Sequence, residues 1–369
     1  MKTIQIDGAD VLLFRDGKPF GETDGANIAR SLPLPLPGTL AGAVRSFLGD
    51  RETDSWSDRD KHRRLEQIAV HGPLLHHAAK GTLFPAPADL VRIVDENGVE
   101  KWMPLLPGEI GGCDLPGGLV PLKVTDDGKP DADPLWDAAH LNAWLLGNPP
   151  GSEYRGEKGP PTDARMHVGI DSLKNKAEDS KLFGVHYLDF GMTWSILTQV
   201  GTDRALSGVA PLGGERRLGY FAEPETDPWP RCPDDLTARL TALDKGDRVR
   251  MVLATPALFS AGWKPGWLKE QDGQGRWFGN PPIPDSPRLT LIAAAVPRRV
   301  PVSGWHLREG KPKPVRWAVP AGAVYFFEVV QPGNNRATLA NAYLKPVSDN
   351  HNESDKDRRD GYGLAVWGV

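Results

Sequence analysis

The sequence predicts an α+β protein of two domains, and three observations carry that expectation. At 369 residues the chain is too long for one ordinary core and comfortable for two. A hydrophobic share of 39% beside 25% charged residues belongs to folded globular chains rather than disordered ones. Strand-like and helix-like patterns then interleave, separated by stretches that can continue neither.

In chain order, "TIQIDGADVLLF" (3–14) is strand-like at both ends. "GTLAGAVRSFLGD" (38–50) sets Leu40, Ala43, Val44, Phe47 and Leu48 at helical spacing, with Thr39 near the start and Gly49 as a stop. "HGPLLHH" (71–77) and "DLVRIVD" (89–95) read as strands, "DPLWDAAHLNAWLLGN" (133–148) as a helix, and "HYLDFGMTWSILTQVG" (186–201) as strand-rich. This is one β-α-β-β-α-β-like set, ending near Val200. In the second half "DLTARLTALDKG" (235–246) puts Leu236, Leu240 and Leu243 on one helix face. "DRVRMVLATPALF", "RLTLIAAAV", "GAVYFFEVV" and "GYGLAVWGV" follow as strands rich in β-branched and aromatic residues. Two ferredoxin-like (RRM-like) domains, 1–200 and 201–369, are the economical architecture.

The 41 glycines and 35 prolines cluster in "GNPPGSEYRGEKGPPTD", "AEPETDPWPRCPDD" and "GWKPGWLKEQDGQGRWFGNPPIPDSP". These read as long insertions running over the two cores. "PVSDNHNESDKDRRDG" near the end is polar throughout and is expected to be mobile.

A formal charge of −4 gives no global sign of a nucleic-acid binder, though a local basic patch is compatible with it. Two cysteines, Cys113 and Cys232, form neither a disulfide framework nor a zinc cage. Asp7 and Asp10 interrupt the apolar run that a secretion signal needs. No segment approaches the roughly 18 apolar residues of a membrane span. A reduced, cytoplasmic chain with no membrane association is expected.

Enzyme signatures are missing from the sequence: there is no P-loop, nucleophile elbow or metalloprotease helix. His76 and His77 are neighbours on a strand, so they point to opposite faces and cannot converge on one metal. With His71 they read as structural histidines. The glycines of "GGERRLG" (213–219) do not make a dinucleotide fingerprint after a clean strand. No metal and no cofactor are expected.

Local charge points elsewhere. Between Arg288 and Arg316 lie seven cations, Arg298 and Arg299 among them, against one acid, Glu309, with Trp305, His306 and Trp317 interleaved. Cations in a stripe neutralise phosphates and flat rings receive unpaired bases. A solvated, proline-stiffened loop is the alternative. In "PLGGERRLGYF" (211–221), Gly213, Gly214 and Gly219 permit close-approach backbone geometry, and Arg216 and Arg217 add forked donors that match phosphate oxygens. Tyr220 and Phe221 can stack on a base or anchor the next strand. A generic basic turn is again the alternative. "LLFRDGKPFG" (12–21) is a turn carrying Arg15. "LPLPLPGTLAGAVRS" (32–46) then leads into a helix whose first-turn amides offer a phosphate seat, with Arg45 inside that helix.

Taken together, "LFRDGKPFG", "PLPLPGTLAGAVRS", "GGERRLGYF", "VPAGAVYFFE" and "GYGLAVWGV" resemble the third subunit of the Cmr complex, the type III-B CRISPR effector, a branch of the RAMP superfamily of RNA-binding proteins. The blocks touch both ends and the middle of the chain. The resemblance implies two ferredoxin-like domains and a non-catalytic role. Such subunits hold the repeat-derived 5′ tag of the guide RNA, dock the large polymerase-like subunit and contact the adjacent RAMP backbone subunit. Gly213, Gly214, Arg216, Arg217 and Gly219 match the family's RNA-facing glycine-rich loop, and Arg45 falls in its first helix.

"DARMHVGIDSLKNKAEDSKLFGVHYLDF" (163–190) looks like the RAMP thumb, a hairpin whose tip, here Leu173 to Asp179, inserts beside RNA and displaces a base. By resemblance Lys174 and Lys176 are its cationic contacts, and Arg165 and His167 lie at its base; a core-facing His167 is equally compatible. The tip reads "KNKAEDS" and departs from the commoner "TGTA"-like form. Trp263 and Trp267 are candidate anchors for neighbouring subunits. Two rival readings remain: a metal-independent endoribonuclease that processes repeat RNA with His71, His76, His77 or His167 as general base, and an RNA-free adaptor.

Overall fold

The computed structural model describes all residues except 16–27, 95–96, 110–113, 124–128, 131–133, 172, 175, 307–309 and 350–354; for 129–130, 178–181 and 305–306 only the backbone is described. The turn after Arg15, Cys113, Arg308 and most of the polar stretch near the end therefore lie outside the described residues.

The fold is mixed α+β, with antiparallel sheets and short helices. The chain divides into two compact units, each assembled from three segments: 1–79, 159–227 and 301–316 in the first, 80–158, 228–300 and 317–369 in the second. This division differs from a single boundary at residue 200. The strands Gly208–Pro211 and Leu218–Ala222 pair within the first unit, whereas strand Leu90–Val94 and helix Ala138–Leu145 fall in the second. Hydrophobic periodicity reports which face of an element is buried, not which distant strand it pairs with.

In the first unit five strands lie in the order Val70–His77, Trp194–Val200, Lys2–Gly8, Leu218–Ala222, Gly208–Pro211, each antiparallel to its neighbour. Register puts Phe221, Ile6, Ile196 and Leu75 in one cross-strand row, all buried. Helix Pro37–Gly49 covers that face; it buries Leu40, Ala41, Val44, Phe47 and Leu48, and Phe47 stacks on Phe221 at 5.1 Å. The alternate row, Tyr220, Asp7, Ser195 and His76, lies on the opposite face.

A long hairpin, Thr162–Asp171 against Lys176–Leu188, is joined by the short parallel strand Ile28–Arg30. Val185 and Tyr187 on its inner face pack with Val11 and Leu13, and Phe183 and Ala29 lean on that cluster.

The second unit holds a seven-stranded antiparallel sheet in the order Glu270–Gln271, Trp277–Gly279, Arg288–Ala295, Val324–Gln331, Arg248–Leu253, Leu364–Gly368, Lys345–Pro346. Helix Asp234–Thr241 buries Leu236 and Leu240, as the spacing predicts. A polar knot lies inside this unit. Asp89, fully buried, accepts from Arg250 Nη1 at 3.0 Å and from Trp144 Nε1 at 2.9 Å. Arg250 also donates to the Trp144 carbonyl, and its guanidinium lies 4.2 Å from that indole's centre. Burial pushes the Asp89 carboxyl up and the Arg250 guanidinium down, and each partner's charge opposes the other's shift.

Arg250→Met strands a buried carboxylate, so the unfolding transition of the second unit should lose about 3–5 kcal/mol. Urea titration of the variant checks this, and a loss below about 1 kcal/mol would show that the knot is dispensable. A second expectation concerns helix Ala138–Leu145. Asp137 caps it, accepting from the His140 amide at 2.9 Å and from His140 Nδ1 at 2.7 Å. Burial lifts the Asp137 carboxyl, but the hydrogen bonds from His140 outweigh it and hold the group below its ordinary value of 3.8. A depressed carboxylate stabilises the fold above the unfolded value, and its contribution fades as pH falls through the folded one. Asp137→Ala should therefore cost about 1 kcal/mol near neutrality and converge with the parent in acid, as read by denaturant midpoints along a pH series.

Candidate nucleic-acid interface

The loop between strands Gly208–Pro211 and Leu218–Ala222 is closed by the Pro211–Leu218 pair and by Leu212 N–H donating to the Arg217 carbonyl at 2.7 Å. Gly214 N–H donates to the Leu13 carbonyl at 2.7 Å, which fixes the loop against the segment after the first strand. Gly213 has φ +83°, and a Cβ there would sit 2.4 Å from the Leu13 oxygen, so the close approach demands glycine.

Glu215 and Arg216 follow with φ of +55° and +52°. Two successive non-glycine residues in the left-handed region cost roughly 1–2 kcal/mol each, so contacts outside the loop must hold them. The Tyr187 hydroxyl donates to Glu215 Oε2 at 2.7 Å and lies 3.1 Å from His167 Nε2. Arg217 bonds Asp10 Oδ2 at 3.0 Å and reaches Glu215 Oε2 at 3.4 Å, with its guanidinium 4.6 Å from the Tyr187 ring centre. Arg165 lies 5.4 Å from the same ring centre and is paired with Asp163 at 2.8 Å and with Asp10 at 3.7 Å. His167 stacks on Phe183 with ring centres 5.4 Å apart. Burial and the hydrogen bond to Glu215 raise the Tyr187 phenol above its ordinary value, so it stays a proton donor.

The two loop arginines thus have different environments. Arg217 is spent on internal acids and a ring. Arg216 is exposed, and among the described residues its side chain forms no ion pair or hydrogen bond.

The other expected site residues separate in the same way. Arg45 is corrected to a structural residue: it is 8% exposed and donates through Nε at 3.2 Å and Nη2 at 2.8 Å to the Ile68 carbonyl. A buried guanidinium committed to a backbone carbonyl is not a phosphate grip. Gly219 is likewise not part of an RNA-facing loop. It is buried in strand Leu218–Ala222 opposite Gly8, where a Cβ would approach Ile6 Cγ2 to 2.9 Å. Gly213 and Gly214 remain in the loop, but they face Leu13 and Phe14.

Arg15 is exposed, with its backbone bridged to Ser31. Lys174 is exposed and 3.7 Å from Asp171, and Lys176 opens the return strand of the hairpin, exposed and unpaired among the described residues. Residues 172 and 175 at the tip lie outside the described residues.

In the second unit Arg298 and Arg299 are exposed, and Arg299 lies 4.0 Å from the centre of the half-exposed Trp317 ring. Of the candidate anchors, Trp267 is 6% exposed and packs on Phe327, which removes it as a docking residue, while Trp263 is 39% exposed. Phe221 anchors the sheet, whereas Tyr220 is 52% exposed on the opposite face.

Sequence reasoning missed Tyr187, Asp10 and Glu215. They are far apart in sequence, and the bridge of Leu12 to Leu188 together with the Tyr187–Glu215 bond brings them together.

The chain matches the family described as CRISPR-associated protein (Cas_Cmr3) over residues 4–369. It belongs to the Cmr3 family, and so to the Cmr subunits of the type III-B system. A chain from the "Cryo-EM structure of the Type III-B Cmr-beta bound to cognate target RNA" is similar with a TM-score of 0.54 and 16% identity, over 98% of this chain and 95% of that one. A second, from the same assembly bound to cognate target RNA and AMPPnP, gives 0.51 and 15%, over 88% and 86%. The likeness is one of fold. No curated protein matches the chain.

Arg45→Ala is expected to lower stability by about 1–3 kcal/mol, since it leaves the Ile68 carbonyl without its charged donor. It should leave the salt dependence of RNA binding unchanged, which parallel denaturation and filter-binding measurements check.

Proposed function

We propose that this Cmr3-family chain is a non-catalytic RNA-binding subunit of a type III CRISPR effector that holds the repeat-derived 5′ tag of the guide RNA. The observation that carries the reading is the exposed Arg216, unpaired among the described residues, on a loop braced against the hairpin. A backbone phosphate is the ligand such a forked donor fits, and the exposed Tyr220 and Lys176 of the same unit are further contacts. Splayed bases stacked on aromatic rings add about 1–3 kcal/mol each. The thumb role belongs to the hairpin, whose tip residue Leu173 is 94% exposed. Two elaborated ferredoxin-like domains are the corresponding architecture.

The partners proposed are the guide RNA, the large polymerase-like subunit and the adjacent RAMP backbone subunit, met in the cytoplasm. Support for protein contacts comes from the outer face of the hairpin sheet. Ile28, Met166, Val168, Ile170 and Leu182 are each 45–67% exposed there. Register aligns Ile28, Gly184 and Met166 in one row, and Val168 and Leu182 in the next. Among the described residues no helix is long and apolar enough to cross a membrane.

The ribonuclease reading is less well supported by the histidines. His71 is buried, burial keeps the His76 ring below its ordinary value, His77 packs edge-on against Trp194 and accepts from the Ala79 amide, and His167 is engaged with Tyr187 and Phe183.

Affinity purification from the native host, with sequencing of bound RNA, tests the reading. Short RNAs sharing one 5′ repeat-derived tag are expected to co-purify, together with a large polymerase-like subunit. Arg216→Ala should lower RNA retention and flatten the log–log salt slope by about 0.7, the share of one phosphate on a single strand. Cleavage of repeat RNA by the purified chain, lost in His→Ala variants, would replace this reading with the ribonuclease one.

A further inference from the structure

We infer that Tyr187 is a positioning residue that sets the place of Arg216 by holding Glu215. The inference rests on the reading that Arg216 grips RNA, and it assigns the device that presents that side chain.

Three observations converge. Glu215 and Arg216 are adjacent left-handed residues, a conformation that L side chains adopt only when something outside the segment imposes it. The hairpin's tie to Glu215 is the bond from Tyr187 Oη to Glu215 Oε2 at 2.7 Å, made by a ring with no solvent exposure. The hydroxyl has one proton, and a carboxylate can only accept. The phenol proton therefore goes to Glu215, and the phenol oxygen is left to accept, from Arg217 or from His167 Nε2 at 3.1 Å in the tautomer that carries its proton there.

Charge placement sharpens the consequence. Asp10, Asp163 and Glu215 neutralise Arg217 and Arg165, whose guanidinium groups lie by the Tyr187 ring. Arg216 is the loop cation left over. Its direction depends on its own φ, because passing from the left-handed to the right-handed region swings the side chain to another side of the backbone. Removing the Tyr187 hydroxyl leaves Glu215 with the longer 3.4 Å contact to Arg217, lets both residues leave the left-handed region, and carries the Arg216 guanidinium away from its present position.

The test uses the full chain with Tyr187→Phe, Glu215→Gln, Glu215→Ala, Arg216→Ala and the Tyr187→Phe/Arg216→Ala double variant. The first readout is trypsin cleavage after Arg216 in the RNA-free protein, beside the thermal midpoint. The second is binding of a fluorescein-labelled RNA bearing the host's CRISPR repeat, measured across a salt series. Tyr187→Phe is expected to speed loop cleavage several-fold at an unchanged midpoint. It should also weaken RNA binding about threefold to tenfold and reduce the salt slope as Arg216→Ala does. The double variant should bind no worse than Arg216→Ala alone. Glu215→Gln, which keeps an accepting oxygen, should stay near the parent, while Glu215→Ala follows Tyr187→Phe.

An unchanged cleavage rate, or a loss in Tyr187→Phe that adds in full to that of Arg216→Ala, overturns the positioning role. If Arg216→Ala binds the RNA as the parent does, the RNA reading of Arg216 falls, and the cleavage rate alone still decides whether Tyr187 holds the loop.

Discussion

A phenol hydroxyl removed from water has to find its partners inside the protein, and the glycine-rich loop of the first unit is organised by how Tyr187 does so. The ring lies fully buried among Val11, Leu13 and Val185, so the inner hairpin face and the segment after the first strand close over it. Among the described residues the hydroxyl meets Glu215 and His167, with the Arg217 guanidinium beside it. An unmade hydrogen bond at such a place costs about 1–3 kcal/mol, comparable to the strain of the two left-handed residues it secures. Burial of one apolar ring thus fixes a polar atom, and that atom stabilises a backbone shape the loop would not keep alone.

The glycines belong to the same scheme, but for packing. Gly213 lets the loop backbone touch the Leu13 carbonyl, and Gly219 lets its strand pass beneath Ile6 opposite Gly8. With both contacts the loop is pinned at its two ends to the first strand and its extension. Between the pins only Glu215, Arg216 and Arg217 have side chains to place. Two of them are tied inward, so among the described residues a loop with two arginines offers one free guanidinium.

Much of this was legible in the sequence, and the boundary of legibility is physical. Helices Pro37–Gly49 and Asp234–Thr241 and the strands around Ile6, Leu75, Met251, Phe327 and Val366 follow from periodicity, which local residues determine. The basic glycine-rich loop was equally visible. Its internal economy was not, because the acid that neutralises Arg217 is Asp10, more than two hundred residues away. Arg45 misled for the same reason: a cation on a helix reads as surface until its target, the Ile68 carbonyl, is seen. Tyr187 sits in an alternating strand pattern where an aromatic reads as core, and core it is, except for one oxygen.

The hairpin joins these two levels. Strand alternation gives it two chemically distinct faces: Asp163, Arg165 and His167 on the side of Tyr187, and Met166 and Val168 with Leu182 on the other. The inner face is satisfied within the chain. The outer face leaves large aliphatic side chains in water on a strand pair, an arrangement that favours association and that monomeric proteins commonly suppress with charge. Among the described residues Asp163 and Arg165 lie on the inner face, and Arg30, in register with His186, stands at one end of the outer one. An aliphatic strip of this kind cannot neutralise phosphates, so RNA is a poor match for it and a protein surface a good one. On the proposed reading the hairpin therefore faces two partners at once: it holds the loop that meets RNA on one side and presents an apolar strip to a neighbouring subunit on the other. Displacing either face would disturb the other through the same two strands.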